Sequence, residues 1–154
     1  MLFFVLLLLL TSIGWALRVP TWPARMRIAV AAALVLAGTD HWLNPERYLP
    51  MMPAWVPLHL EVVLFTGAAE IAGAVGLLVP RLRRVAGFLL AAYFVAVFPA
   101  NVHNALNGLA VDGLPQAQWY YWVRLAFQPL AIWWALFSAE LICWPFHRKL
   151  EVQS

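Results

Sequence analysis

The stretch LFTGAAEIAGAVGLLVP, residues 64–80, is apolar and rich in small residues from end to end, except for Glu70 at its centre. A carboxylate is ordinary on a water-facing helix and costly in hydrocarbon, so the solvent around this segment decides how it is read. Of the 154 residues, 64% are hydrophobic and 11% charged, and the mean hydropathy is +0.79. Soluble domains are about one-quarter charged, and the chain is therefore read as a membrane protein. Runs long enough to cross about 30 Å of hydrocarbon fall at residues 2–17, 28–42, 58–79, 85–105 and 119–143. The expectation is an all-α polytopic bundle of five spans, organised as an N-terminal anchor helix (1–23), a four-helix core (24–146) and a tail (147–154).

Basic residues set the expected orientation, because Lys and Arg resist translocation. Arg18, Arg25 and Arg27 follow the first span, Arg81, Arg83 and Arg84 follow the third, and Arg148 and Lys149 follow the fifth. All of these lie on one side of a five-span arrangement. The protein is thus expected in the bacterial inner membrane, with its N-terminus outside and its C-terminus cytoplasmic. The first span has no basic residue before it and no A-x-A-like site after it, which favours a retained anchor over a cleaved signal peptide. The net charge of +3 sits almost wholly in these loops, so topology and anionic-lipid contact account for it and nucleic acid is not an expected partner. Cys143 is the single cysteine, which excludes thiol exchange through an internal pair.

Prolines punctuate the spans at Pro20, Pro23, Pro45, Pro50, Pro53, Pro57 and Pro80, since proline lacks the donor that continues a helix. Residues 44–57 are proline-dense and are expected to cap the bundle. Trp42, Trp55, Trp119 and Trp122 mark the outer interface, and Trp15, Trp22 and Trp144 the inner one.

An ionisable group at mid-membrane costs at least about 2.5 to 3.5 kcal/mol, so it normally faces the bundle interior with a partner. Glu70 lies about 12 Å into its span at the helical rise. Arg124 and Gln128, one turn apart on the fifth span, bracket that depth, and Arg124 is the expected counter-ion of Glu70. Asp40 and His41 end the second span, and Asn101, His103 and Asn104 end the fourth. His41, Glu70, Asn101, Arg124 and Gln128 are therefore expected to line one ligand-binding cavity in the outer half, while His103 and Asn104 are expected to be solvated. The inner half offers nothing comparable, because Glu140 sits near the interface. On the third span, His59 and Thr66 share the face of Glu70. The small residues Gly67, Ala68, Ala69, Ala72, Gly73 and Gly76 read as close packing. A purely structural role for each polar residue, above all a Glu70–Arg124 clasp fixing helix register, is the competing reading.

Gly38-x-x-His41-x-x-x-Pro45, Gly67-x-x-Glu70, Phe98-Pro99-Ala100-Asn101, Arg124-Leu125-x-x-Gln128 and Trp133-Trp134 together resemble the DoxX family of small bacterial membrane proteins. The resemblance covers residues 28–137. It implies a compact four-helix membrane core, and some members of that family are partners of quinone-linked oxidoreductases. The extra N-terminal helix and the lack of a cysteine pair depart from that pattern and argue against a direct thiol-oxidising role.

The leading functional expectation is an accessory subunit of a membrane oxidoreductase system that binds the polar head of a quinone or other lipid-like molecule in the outer-half cluster. The alternatives are an acid-base isomerase of an isoprenoid-like substrate using Glu70 and His41, a metal-handling protein using His41, His59, His103, Glu70 and Met51-Met52, and a structural assembly factor. No compact metal-ligand spacing occurs, so metal ranks third and the site residues include no metal ligand. Expected partners are the lipid bilayer, membrane oxidoreductase subunits and a second copy of the chain.

Overall fold

The computed structural model describes residues 2–109, 115 and 117–143. Helices and turns make up all the regular structure among them: α1 (Leu2–Ala16), α2 (Trp22–Leu43), α3 (His59–Leu78), α4 (Arg83–Ala96), α5 (Phe98–Asn107), α6 (Gln118–Ala126) and α7 (Gln128–Ser138). Three stretches are long and apolar enough to cross a membrane: α2, α3 and the bent run of α4 with α5, Arg83–Asn107. Helix α1 is apolar but has 15 residues, and the fifth expected span is divided into α6 and α7, of 9 and 11 residues. The expected tail, the loop around Asp112, and Trp144 lie outside the described residues.

Helix α2 begins earlier than the expected residue 28. The Oγ1 of Thr21 accepts a hydrogen bond from the Ala24 amide, at 3.3 Å, and Pro23 sits in the first turn, where its missing N–H costs nothing. Arg25 and Arg27, expected in a loop, are therefore helical. The helix stops at Leu43, because Asn44 precedes Pro45 and leaves the α region, at φ −136° and ψ 56°. Two 3-10 turns, Pro45–Arg47 and Leu49–Met51, form the expected cap and bury Met51 against Ala105, Tyr120 and Tyr121. Helix α3 stops the same way, with Val79 extended before Pro80. Pro99 and Pro129, each in the first turn of a new helix, break the last two runs at Val97 and Phe127. Gly108 closes α5 at φ 60°, a left-handed conformation that glycine adopts without strain.

Helices α1 and α2, α2 and α3, and α4 and α7 cross antiparallel, the start of one meeting the end of the other or their Gly38 and Gly67 positions meeting. Helix α2 is central, touching α1, α3 and α7, while α4 closes the ring between α3 and α7. Its interior is built from small residues such as Ala29, Ala33, Ala74 and Ala135, with Leu34, Leu77 and Phe137 filling the gaps, while Phe65, Val85 and Phe88 are exposed. Large apolar side chains outside and small ones inside suit a lipid solvent, in which close backbone approach drives helix association.

The end of the bundle opposite the cap corrects one expectation. Arg27 is 8% exposed. Its Nε donates to the Ser138 carbonyl at 2.9 Å and its Nη2 to Glu140 Oε1 at 2.5 Å, while Arg83 Nη1 reaches the same oxygen at 3.2 Å. Arg27, expected in a loop, is thus an embedded cation, and Glu140, expected to be unremarkable near the interface, is held by two arginines. It joins the starts of α2 and α4 to the end of α7. The overlooked sequence signal is the Thr21–Pro23 helix start, which places Arg27 on a helix in place of a loop.

Candidate ligand-binding site

Two glycines bring the chemistry together. A Cβ on Gly38 would lie 2.6 Å from the Gly67 carbonyl oxygen, and a Cβ on Gly67 would lie 2.8 Å from the Gly38 carbonyl oxygen. At this crossing α2 and α3 touch backbone to backbone. His41 and Glu70 each sit three residues further along, on the same faces, and they meet there, His41 Nδ1 lying 3.6 Å from Glu70 Oε2. Small residues in this motif therefore position the polar pair as well as pack the helices.

Glu70 is 7% exposed. Its Oε1 accepts a hydrogen bond from the Tyr93 hydroxyl of α4, at 2.8 Å. Its Oε2 is buried without a hydrogen-bond partner. His41 Nδ1 lies 2.8 Å from the Ala37 carbonyl of its own helix. A carbonyl only accepts, so Nδ1 carries the proton and Nε2 is left as the acceptor in the neutral ring. The imidazole is stacked on Tyr48 from the cap, with centroids 3.8 Å apart and planes at 15°. Tyr48 donates to Asp40 Oδ2 at 2.6 Å, and Asn44 and Arg47 donate to Asp40 Oδ1 at 2.7 and 3.0 Å. Burial, and then the bond to Asp40, push the Tyr48 phenol above its ordinary value, which keeps it a donor and fixes the cap over His41.

The expected Glu70–Arg124 contact does not form. Arg124 makes no ion pair or hydrogen bond with Glu70, and its charge acts across a gap on Glu70, His41 and Tyr93. Tyr93 is the direct partner. Its signal in the sequence is a hydroxyl-bearing side chain within an apolar run, a weak one because a phenol is tolerated at many places in a membrane protein. Gln128 bonds elsewhere too, its Nε2 donating to the Phe94 carbonyl beside the break before Pro99. Asn101 itself is half-buried and bonds Val97 through its backbone amide, at 3.3 Å. Thr66 donates to the Val63 carbonyl and His59 to the Pro53 carbonyl, so neither joins Glu70. Asn104 is 1% exposed and not solvated, with both amide atoms buried and unpartnered, as is His103 Nδ1. Of the five expected site residues, His41 and Glu70 meet directly, Arg124 acts at a distance, and Gln128 and Asn101 serve the bent run. No group of three or more His, Cys, Asp or Glu side chains is placed to hold a metal among the described residues.

On the flank of the bundle an apolar groove of about 490 Å³ runs between α3 and α4, walled by Ala69, Ala72 and Gly76 on one side and Val85, Leu89 and Tyr93 on the other. None of the five expected residues lines it. Tyr93 connects it to them, since the same side chain forms the groove wall and holds Glu70. The arrangement offers a path of apolar surface ending at a hydroxyl, with a carboxylate behind it whose second oxygen makes no hydrogen bond and lies 3.6 Å from His41 Nδ1.

No curated protein and no solved structure matches the chain. The chain belongs to the family described as a domain of unknown function, DUF8561, whose family model matches residues 30–139.

Proposed function

We propose that the protein binds the polar head of a small amphiphile, a quinone or other lipid-like molecule, at Tyr93 and Glu70, and serves as an accessory subunit of a membrane oxidoreductase system. The observation that carries the reading is the buried, unpartnered Oε2 of Glu70 behind a tyrosine that also walls the groove. A buried acceptor without a partner is costly, and a ligand hydroxyl supplies the missing donor. The groove takes the apolar part of the molecule directly from the bilayer. The resemblance to the DoxX family supports the oxidoreductase association and a four-helix core in which α4 with α5, and α6 with α7, each act as one broken span.

Losing one hydrogen bond to a charged group amounts to about 1.5–3 kcal/mol. Glu70→Gln and Tyr93→Phe are therefore each expected to weaken a short-chain quinol about tenfold or more, read by titration of the detergent-purified protein and by mass spectrometry of co-purified small molecules. If both variants fold and keep the same molecules in the same amounts, Glu70 is a structural clasp.

The orientation belongs to the same proposal: five spans, N-terminus outside, with the arginine-rich end cytoplasmic. In a Cys143→Ser background, a single cysteine at Ser154 is expected to resist a membrane-impermeant thiol reagent in whole cells, and one at Asp112 to react. The reverse pattern would invert the topology.

A further inference from the structure

We infer that the groove between α3 and α4 also has a second head-group site at its opposite mouth, where Arg81 and Arg84 bind the phosphate of an anionic phospholipid whose acyl chain lies in the groove. This inference stands on the groove and its basic mouth and does not depend on the reading of Glu70.

The groove follows from the sequence of α3. Ala69, Ala72, Gly73 and Gly76 share one helix face, and they leave backbone where larger side chains would stand. A Cβ on Gly76 would lie 2.7 Å from Ala86 Cβ, and one on Gly73 would lie 2.5 Å from Leu90 Cδ2, so the floor is set by close α3–α4 contact. Val85 and Leu89 are exposed and form the rim. Such a wall fits an alkyl chain and offers Tyr93 alone as a polar partner.

The mouth is the α3–α4 turn, with three arginines around Leu82, itself part of the groove wall. Arg83 is occupied, because its Nη1 lies against Glu140. Arg81 and Arg84 are exposed and form no ion pair among the described residues. Glu140, the acid at this end among the described residues, is already shared by Arg27 and Arg83. The N-terminus of α4 has no side-chain cap at Leu82, and its dipole adds partial positive charge at the same place. An occupant that satisfies both parts has an alkyl chain and a negative head at the interface. Basic pockets between membrane helices select anionic lipid heads in this way.

The test uses the full chain in mixed micelles containing phosphatidylglycerol and phosphatidylcholine with identical acyl chains, with retained lipid counted by native mass spectrometry as detergent is withdrawn. The wild type is expected to retain phosphatidylglycerol about tenfold over phosphatidylcholine. Arg81→Gln with Arg84→Gln, both at exposed positions, is expected to abolish that preference. Ala72→Leu, which fills the groove from an exposed position, is expected to lower retention of both lipids. Glu70→Gln is expected to leave the preference intact, which separates this site from the head-group site at Tyr93. Equal retention by the wild type, a preference that survives the double arginine variant, unchanged retention in Ala72→Leu, or a preference lost in Glu70→Gln would each overturn the assignment.

Discussion

Replacing Glu140 by glutamine is expected to destabilise the protein by about 3 kcal/mol, with the unfolding midpoint in detergent or in a denaturant titration falling accordingly. Arg27 is the reason. Its side chain is 9% exposed and its Nη2 rests on Glu140 Oε1, so the substitution keeps the shape and strands a buried cation. Removing one partner of a buried pair costs about 3–5 kcal/mol, and the 30% exposure of the Glu140 side chain places this case at the low end. Arg83→Gln is expected to cost less, because that side chain is 22% exposed and Arg27 still holds the carboxylate. Arg27→Met combined with Glu140→Leu is expected to recover most of the loss, since the uncompensated charge is gone. If Glu140→Gln unfolds with the wild type, the three-way contact is incidental to the fold.

Gly67→Ala is the second large effect. Alanine is the better helix former by about 1 kcal/mol, so a result driven by propensity would be stabilising. The new Cβ, however, would stand 2.8 Å from both the Gly38 carbonyl oxygen and His41 Cβ, and a helix backbone has no rotamer by which to retreat. The clash is expected to win, with a net loss of about 1–3 kcal/mol, as for overpacked cores. Because the two helices must separate, His41 moves off Glu70 and binding of the short-chain quinol falls with stability. Gly14→Ala is the control: its Cβ would meet Arg25 Cγ at 3.4 Å, a contact that a flexible side chain accommodates. Equal stability of Gly67→Ala and the wild type would mean that the crossing is looser than the backbone distances state.

The two regions differ in how much of each is legible in the sequence. Apolar length and the prolines locate α3 to within two residues at either end, because Pro57 and Pro80 bracket it, and the depth of Glu70 follows from counting along it. Hydropathy places the start of α2 six residues late, since Arg25 and Arg27 resemble loop residues until the cap at Thr21 is recognised. The fourth run, expected as one span, breaks before Pro99, and the side chain that bonds a carbonyl beside the break is Gln128, from a different helix.

What the sequence by itself determined is the apolar character of the runs, the extent of α3 and the level of each polar group along its run, because hydropathy, proline geometry and rise per residue are properties of the chain alone. What only the tertiary structure decided is which groups at a shared level touch. Glu70 meets Tyr93 and His41 and not Arg124, and Arg27 meets Glu140 across 113 residues. Rotation of each helix about its axis and the spacing between axes select those partners, and both are set by packing against neighbours, here by Gly38 lying on Gly67. Shared depth suggests Arg124 as the partner of Glu70, but hydrogen bonds act over about 3 Å, and a counter-ion beyond that reach contributes only its field.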